Sequence, residues 1–230
     1  MIGKKSILAI IPARKGSKRL VRKNTLPLKG KPVICWTIEE ALKSKYLDEI
    51  IISTDDEEII DLAKGYEGIS LPFVRPATLA TDTASSLDVI LHTLKVYEEK
   101  DIEFDYVMSL QPSSPLRKCI DIDNAIEELS SEFRSVVSVC KTDHPPHWCN
   151  VLPDDRSMKD FLPKNIKNLR SQDLPTSYRI NGAVYISEVS SLLMEKGFFG
   201  KTTKAYIMPV ERSVDIDTKM DFELCKILMA

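Results

Sequence analysis

Few features of this 230-residue chain point to a membrane or to disulfide chemistry. No apolar run approaches the roughly 20 residues needed to cross a bilayer, and MIGKKSILAIIP has neither the apolar length nor the small-residue cleavage site of a secretory leader. The five cysteines (Cys35, Cys119, Cys140, Cys149, Cys225) are scattered, odd in number and without a C-x-x-C pair, which argues against a disulfide or zinc framework. Net charge is only −2, so the molecule lacks the broad basic field of a general nucleic-acid or membrane-surface binder. Neither G-x-x-x-x-G-K-[ST] nor G-x-G-x-x-G occurs, no Ser/His/Asp or Cys/His constellation stands out, and there is no internal repeat or low-complexity tract. His144 and His147 flank two prolines near Cys149 without a zinc spacing. These absences leave a cytoplasmic protein with reduced thiols and a single domain spanning 1–230 as the expectation.

What is present is a rhythm of short β-branched runs and helical patterns. ILAII (7–11), EIIIST (49–54), YVMSL (106–110), SVVSVC (135–140), GAVYIS (182–187) and AYIMPV (205–210) are apolar enough for strands covered on both faces. Between them LDVILHTL puts Leu87, Ile90, Leu91 and Leu94 on one helical face, and WTIEEALKSKYLDE and DEEIIDLAKGY read as helices too. The alternation predicts an α/β, Rossmann-like, mainly parallel sheet with helices on both faces. Residues 144–177 break the rhythm with prolines at 145, 146, 153, 163 and 175. A lid, an excursion to a dimer partner and a long ordered connection all fit that span.

Two charged stretches carry the chemistry. Behind the first strand, IPARKGSKRLVRKN begins a segment whose bases are Arg14, Lys15, Lys18, Arg19, Arg22, Lys23, Lys29 and Lys31, with no acid among them. Ligands of open α/β sheets sit where a first strand turns into its helix, and a turn at Gly16 and Ser17 can aim N–H groups and cations at phosphate oxygens. A solvated basic loop and a nucleic-acid patch are the plainer readings. Near the other end, SVDIDTKMDF puts Asp215 and Asp217 on one face of an extended segment, with Val214 and Ile216 on the other. The pattern Thr218-x-x-Asp221 then signals a helix start. The acidic pair suits Mg²⁺ shared with phosphates, and an N-cap with a solvated neighbour is the alternative.

In their order, IPARKGSKRLVRKN, RPATLATDTASS, LQPSSPLR, YRINGAVYI and SVDIDT resemble the motifs of bacterial CMP-N-acylneuraminate cytidylyltransferases, from about Ile7 to the C-terminal helix. The resemblance implies transfer of CMP from CTP to the anomeric hydroxyl of a nonulosonic acid, with release of pyrophosphate. It implies nucleotide binding by Ala13, Arg14, Ser17, Lys18, Lys23, Asn24 and Arg75, with Lys23 also catalytic. It implies sugar contacts from Ser86, Gln111, Arg170, Arg179, Asn181 and Tyr185, and catalytic Mg²⁺ ligation by Asp215 and Asp217. It implies a homodimer in which Phe198 and Phe199 cross into the neighbour's sugar site, with about 144–204 including the lid or dimerisation excursion; a buried hairpin tip is the other reading of that aromatic pair. Where the family often carries Arg before the Gln that precedes LP, this chain has Ser171, with Arg170 one residue earlier. Either Arg170 compensates from a shifted backbone or the sugar contact differs. Two other functions remain open on sequence grounds: a nucleotide-sugar glycosyltransferase using D-x-D to hold a metal, and a non-catalytic CTP-binding module.

Overall fold

The computed structural model describes residues 5–17 and 19–229. It contains β1 (Ile7–Ala13), β2 (Pro27–Leu28), β3 (Lys31–Pro32), α1 (Val33–Leu42), β4 (Glu49–Thr54), α2 (Glu57–Ala63), α3 (Ser86–Glu98), β5 (Tyr106–Ser109), α4 (Cys119–Glu127), β6 (Ser135–Lys141), β7 (Tyr178–Glu188), α5 (Val189–Glu195), β8 (Thr203–Ile207) and α6 (Lys219–Leu228), in that order. Six strands form one sheet in the order β4-β1-β5-β7-β6-β8, and β2 and β3 make a separate small hairpin. All neighbours in the large sheet pair in parallel except those of β7, which runs against β5 and β6.

Alternation along β1 explains why helices cover both faces. Ile7, Ala9, Ile11 and Ala13 pack with Ile34 and Ile38 of α1, Ile59 of α2 and Ile122 and Ile126 of α4. Leu8 and Ile10 face the other way, onto Ile90 and Tyr97 of α3 and Leu192 of α5. A strand apolar at every position needs two such layers. A third cluster joins Leu28, Val33, Leu116, Ile216, Phe222 and Cys225, and so ties α6 and the acidic segment to the hairpin.

Local signals fix the helix starts. Ser85 accepts the Asp88 N–H at 3.1 Å while the Asp88 carboxylate accepts the Ser85 N–H at 3.0 Å, a capping box that begins α3. Thr218 and Asp221 do the same for α6. The expected helix over WTIEEALKSKYLDE is displaced: α1 starts three residues earlier, directly after Pro32, which sets the entry, and ends at Leu42, where the Lys43 N–H turns to the Ala41 carbonyl. The strand expected at 205–210 is likewise Thr203–Ile207.

Residues 144–177 contain no strand or α-helix, only two short helical turns, Pro146–Trp148 and Ser171–Asp173. Ile166 is the one buried residue of the span. All five cysteines are free. No helix among the described residues is long and apolar enough to cross a membrane.

Candidate active site

Beyond the C-terminal ends of β1, β4 and β5 lies a cleft of about 440 Å³. The chain reaches it first at Arg14, where β1 ends. From here the basic loop is tied down by its backbone: the Lys15 N–H donates to Asp55 Oδ1 at 2.8 Å, and the buried Asn24 amide donates to the Arg14 carbonyl at 3.3 Å. The Arg14 guanidinium crosses to Asp82 at 2.7 Å. Arg22 takes a left-handed conformation with φ 56°, which turns the chain into the short helical turn that presents Lys23.

Lys23 is only 16 % exposed, and its ammonium donates to Asp217 Oδ1 at 3.1 Å across 194 residues of sequence. Arg19 takes the other oxygen of the same carboxylate at 2.9 Å. The basic loop and the acidic segment therefore meet in one cleft, which Arg14, Ser17, Lys23, Asn24, Arg75, Ser86, Gln111 and Asp217 all line. Of the sequence expectations, Lys18 lies outside the described residues.

The acidic segment alternates as its spacing predicts. Val214 and Ile216 pack into the cluster under α6, which turns Asp215 and Asp217 the other way. Asp215 lies behind the cleft wall, and its Oδ1 is buried without a hydrogen-bond partner. Burial pushes the Asp215 carboxyl above the usual carboxylate range; Ser113 and Lys23 pull it down, and Asp217 and Asp221 push it further up. An orphaned carboxylate oxygen beside a cation-rich cleft fits a magnesium ligand. No group of three or more His, Cys, Asp or Glu side chains converges as a metal site among the described residues. Two carboxylates with the remaining positions left to phosphate and water are the way Mg²⁺ is commonly held at nucleotides.

Arg75 is buried, and its Nε donates to Ser53 Oγ at 3.1 Å and its Nη2 to the Ser53 carbonyl at 2.5 Å. Burial brings its pKa down to about 10. It lines the cleft and also holds the end of β4. Gln111 emerges just after β5, and Ser113 Oγ donates to its Oε1 at 3.5 Å. Beside it runs Gly182, whose φ of +76° favours glycine; a Cβ there would stand 3.4 Å from Gln111 Oε1 and 3.6 Å from Asp215 Oδ2. Ser86 sits in the first turn of α3. Arg179, near the start of β7, donates to the Ser213 carbonyl at 3.3 Å. Burial also raises the Tyr185 hydroxyl's pKa, with the Asp215 charge adding to it.

Five of the expected residues are engaged within the chain itself. Ala13 is fully buried in the core below the cleft and does not line it, because the inward face of β1 continues to its last residue. Asn181 is 2 % exposed; its Oδ1 accepts from Ser138 Oγ at 2.6 Å and its Nδ2 donates to Ser213 Oγ at 2.9 Å, so both ends of the amide are engaged inside the protein. Arg170 is closed onto Asp173 through two hydrogen bonds of 2.8 and 3.0 Å within its own turn. Phe198 and Phe199 pack on Tyr185 of the same chain, with ring centroids 5.4 and 6.4 Å away; Phe198 joins the core beneath α3, and Phe199 stays 57 % exposed.

Arg19, Asp82 and Ser113 also line the cleft, though no sequence expectation assigns them a role. Asp82 belongs to RPATLATDTASS, and Arg19 differs in no visible way from the other bases of its loop.

The sequence profile described as cytidylyltransferase matches residues 8–229. The CMP-N,N'-diacetyllegionaminic acid synthase of Legionella pneumophila is 38% identical over 225 residues, covering 97% of this chain and 96% of that one. The N-acylneuraminate cytidylyltransferase of Escherichia coli is 39% identical over 220 residues, 95% of this chain and 51% of its own length. The pseudaminic acid cytidylyltransferase of Campylobacter jejuni is 35% identical over 222 residues, 96% of this chain and 95% of that one. Among solved structures, a CMP:2-keto-3-deoxy-manno-octonic acid synthetase complexed with CTP superposes with a TM-score of 0.68 at 19% identity, covering 97% of this chain and 98% of that one. At that identity the likeness is one of fold, a mostly parallel sheet flanked by helices.

Proposed function

The chain belongs to the cytidylyltransferase family, and from that premise we propose that it transfers CMP from CTP to the anomeric hydroxyl of a nonulosonic, sialic-type acid and releases pyrophosphate. The observation that carries this reading is the meeting of Lys23 and Asp217, 3.1 Å apart, at the sheet edge where α/β ligands bind. A triphosphate needs cations on several oxygens, and a departing pyrophosphate needs them more. Arg14, Ser17, Lys18 and Lys23 receive the phosphates, Asn24 holds their loop, and Arg75 stands toward the base. When bound on Asp215 and Asp217, magnesium supplies further neutralisation at the phosphates.

Ser86, Gln111, Arg179 and Tyr185 take the sugar. The amide of Gln111 can both donate to and accept from hydroxyl or N-acyl groups, and the Arg179 fork suits a carboxylate. Tyr185, Phe198 and Phe199 offer ring faces to an acyl group. The chain's residues place the sugar hydroxyl in line with the α-phosphorus, and positioning with charge stabilisation supplies the rate. The preformed sugar diphosphate of a glycosyltransferase would leave the basic loop over-supplied with cations, so the family reading is favoured.

The same reading includes a homodimer. Val151, Leu152 and Met158 of the excursion are exposed, as are Tyr178, Ile180 and Ile207 at the neighbouring strand ends. Ile180 and Ile207 flank Val139 in register across three strands, an apolar strip suited to a second copy. Sedimentation of the purified chain tests this.

Incubation with CTP, Mg²⁺ and each of N-acetylneuraminate, diacetyllegionaminate and pseudaminate, followed by pyrophosphate detection, tests the activity. Release that requires one of these acids is the expected result. Binding of CTP without release in any mixture would instead support the non-catalytic module.

A further inference from the structure

The loop that carries Gln111 ends in Arg117, and nothing so far gives that residue a role. Its side chain heads the largest fully buried ones of the described residues, at 1 % exposure. A guanidinium so placed is normally matched by a carboxylate. Arg117 has no ion pair among the described residues; Asp121 and Glu40 act on it only from a distance, and its Nε is buried without a partner. Burial brings its pKa down to about 10.

Its remaining donors go to three segments. Nη1 donates to the Gln111 carbonyl at 3.2 Å and to the Ala183 carbonyl at 2.7 Å, and Nη2 donates to Thr37 Oγ1 at 2.7 Å. The Thr37 hydroxyl in turn donates to the Gln111 carbonyl at 3.5 Å. One planar group thereby joins the loop after β5, the middle of β7 and the first half of α1. The site hangs from two of these. Two residues beyond Gln111, the Ser113 carbonyl accepts the Ile216 N–H at 2.8 Å, between the two aspartates. One residue before Ala183 comes Gly182, where a Cβ would touch both the Gln111 amide, at 3.4 Å, and the Asp215 carboxylate, at 3.6 Å.

We propose that Arg117 is a positioning residue: by fixing the Gln111 and Ala183 carbonyls relative to each other, it sets the sugar-facing amide and the aspartate segment in register across the cleft wall. Apolar packing could fill the same volume with no desolvated charge. A rigid fork with several fixed donors is what an apolar side chain or a lysine does not supply. The inference rests on the function proposed above for this cleft.

Arg117→Met, Arg117→Lys and Thr37→Val, each in the full chain, test it. For every variant the CTP dissociation constant without sugar, the kcat and KM for the sugar, the melting temperature and manganese binding to the CTP complex by electron paramagnetic resonance are measured. Arg117→Met is expected to keep CTP affinity within about twofold while sugar kcat/KM falls about 10²-fold, the cost of a small misplacement. Manganese affinity falls about tenfold, as when a group supporting a ligand is lost. Arg117→Lys recovers part of both, and Thr37→Val costs about fivefold in sugar kcat/KM, the scale of one hydrogen bond. A bolt that serves only stability would lower the melting temperature without separating the sugar and CTP constants. Equal losses of CTP affinity and sugar turnover, or sugar kcat/KM within about threefold of the parent in a folded variant, overturn the proposal. If Arg117→Met does not fold, the lysine and valine variants decide. No pyrophosphate from the unaltered chain with any nonulosonic acid sinks the parent reading, while manganese binding still reports on Arg117.

Discussion

Where the basic loop lines the cleft, Arg14 meets Asp82 and Arg19 meets Asp217 through side chains that are 34 %, 42 %, 72 % and 30 % exposed. Beside Gln111 and Gly182, Asn181 and Arg117 are buried and hydrogen-bonded to the backbone and to hydroxyls from four separate segments. Ion pairs in contact with water contribute little to stability, so an arriving polyphosphate can take over those cations at small cost. A buried network costs far more to open, and it holds its shape whether or not a ligand is present. One wall is thus built to exchange partners and the other to keep a shape.

The contrast can be broken at four points. Asp217→Asn removes the carboxylate on which both cations converge, and pyrophosphate release should fall by about 10³-fold with an unchanged circular dichroism spectrum. Normal turnover in that variant would remove the acidic pair from the mechanism. Lys23→Ala should lower kcat/KM by about 10²-fold. Because its wall works through charge, the parent's CTP affinity should also drop steeply as sodium chloride is raised, and the variant's less steeply; calorimetry at several salt concentrations reads both slopes. On the other wall, Gly182→Ala meets a positive φ and two polar atoms at contact distance. Sugar KM should rise about tenfold while CTP affinity and its salt slope stay put, and a change in CTP affinity would show that the walls are not independent. The smallest effect belongs to Arg170→Ala: with its guanidinium closed on Asp173 in an exposed turn, sugar KM should stay within about twofold in steady-state assays.

The same division governs what the sequence discloses. The buried sheet was legible because a strand covered on both faces must be apolar throughout, as ILAII and EIIIST are. The charged wall was legible because eight bases without an acid, and a D-x-D before a capping box, are visible as strings. Helix α4 was not read, since CIDIDNAIE alternates locally and hides its helical face. The displacement of α1 follows from Pro32, a start signal that the apolar periodicity outweighed. Asn181 enters as a sugar contact through the family resemblance alone; its partners Ser138 and Ser213, 43 and 32 residues away, are brought to it only by the fold. Arg117 was invisible for the complementary reason. An arginine's sequence position says nothing of whether its charge faces water, and this one faces carbonyls from elements that only the fold brings together.

The reversed direction of β7 bears on how such a protein can change. Because β6 runs with the parallel strands and β7 runs back beside it, Lys141 pairs with Tyr178, and both ends of the 142–177 span are planted on the edge of the sheet where β1 also ends. The span is therefore a very long hairpin turn whose contents are free to vary while its two posts stay fixed. Exchange of that segment between chains that share the posts would alter what stands at that end of the sheet without disturbing a single ladder, a route by which one scaffold could be refitted many times.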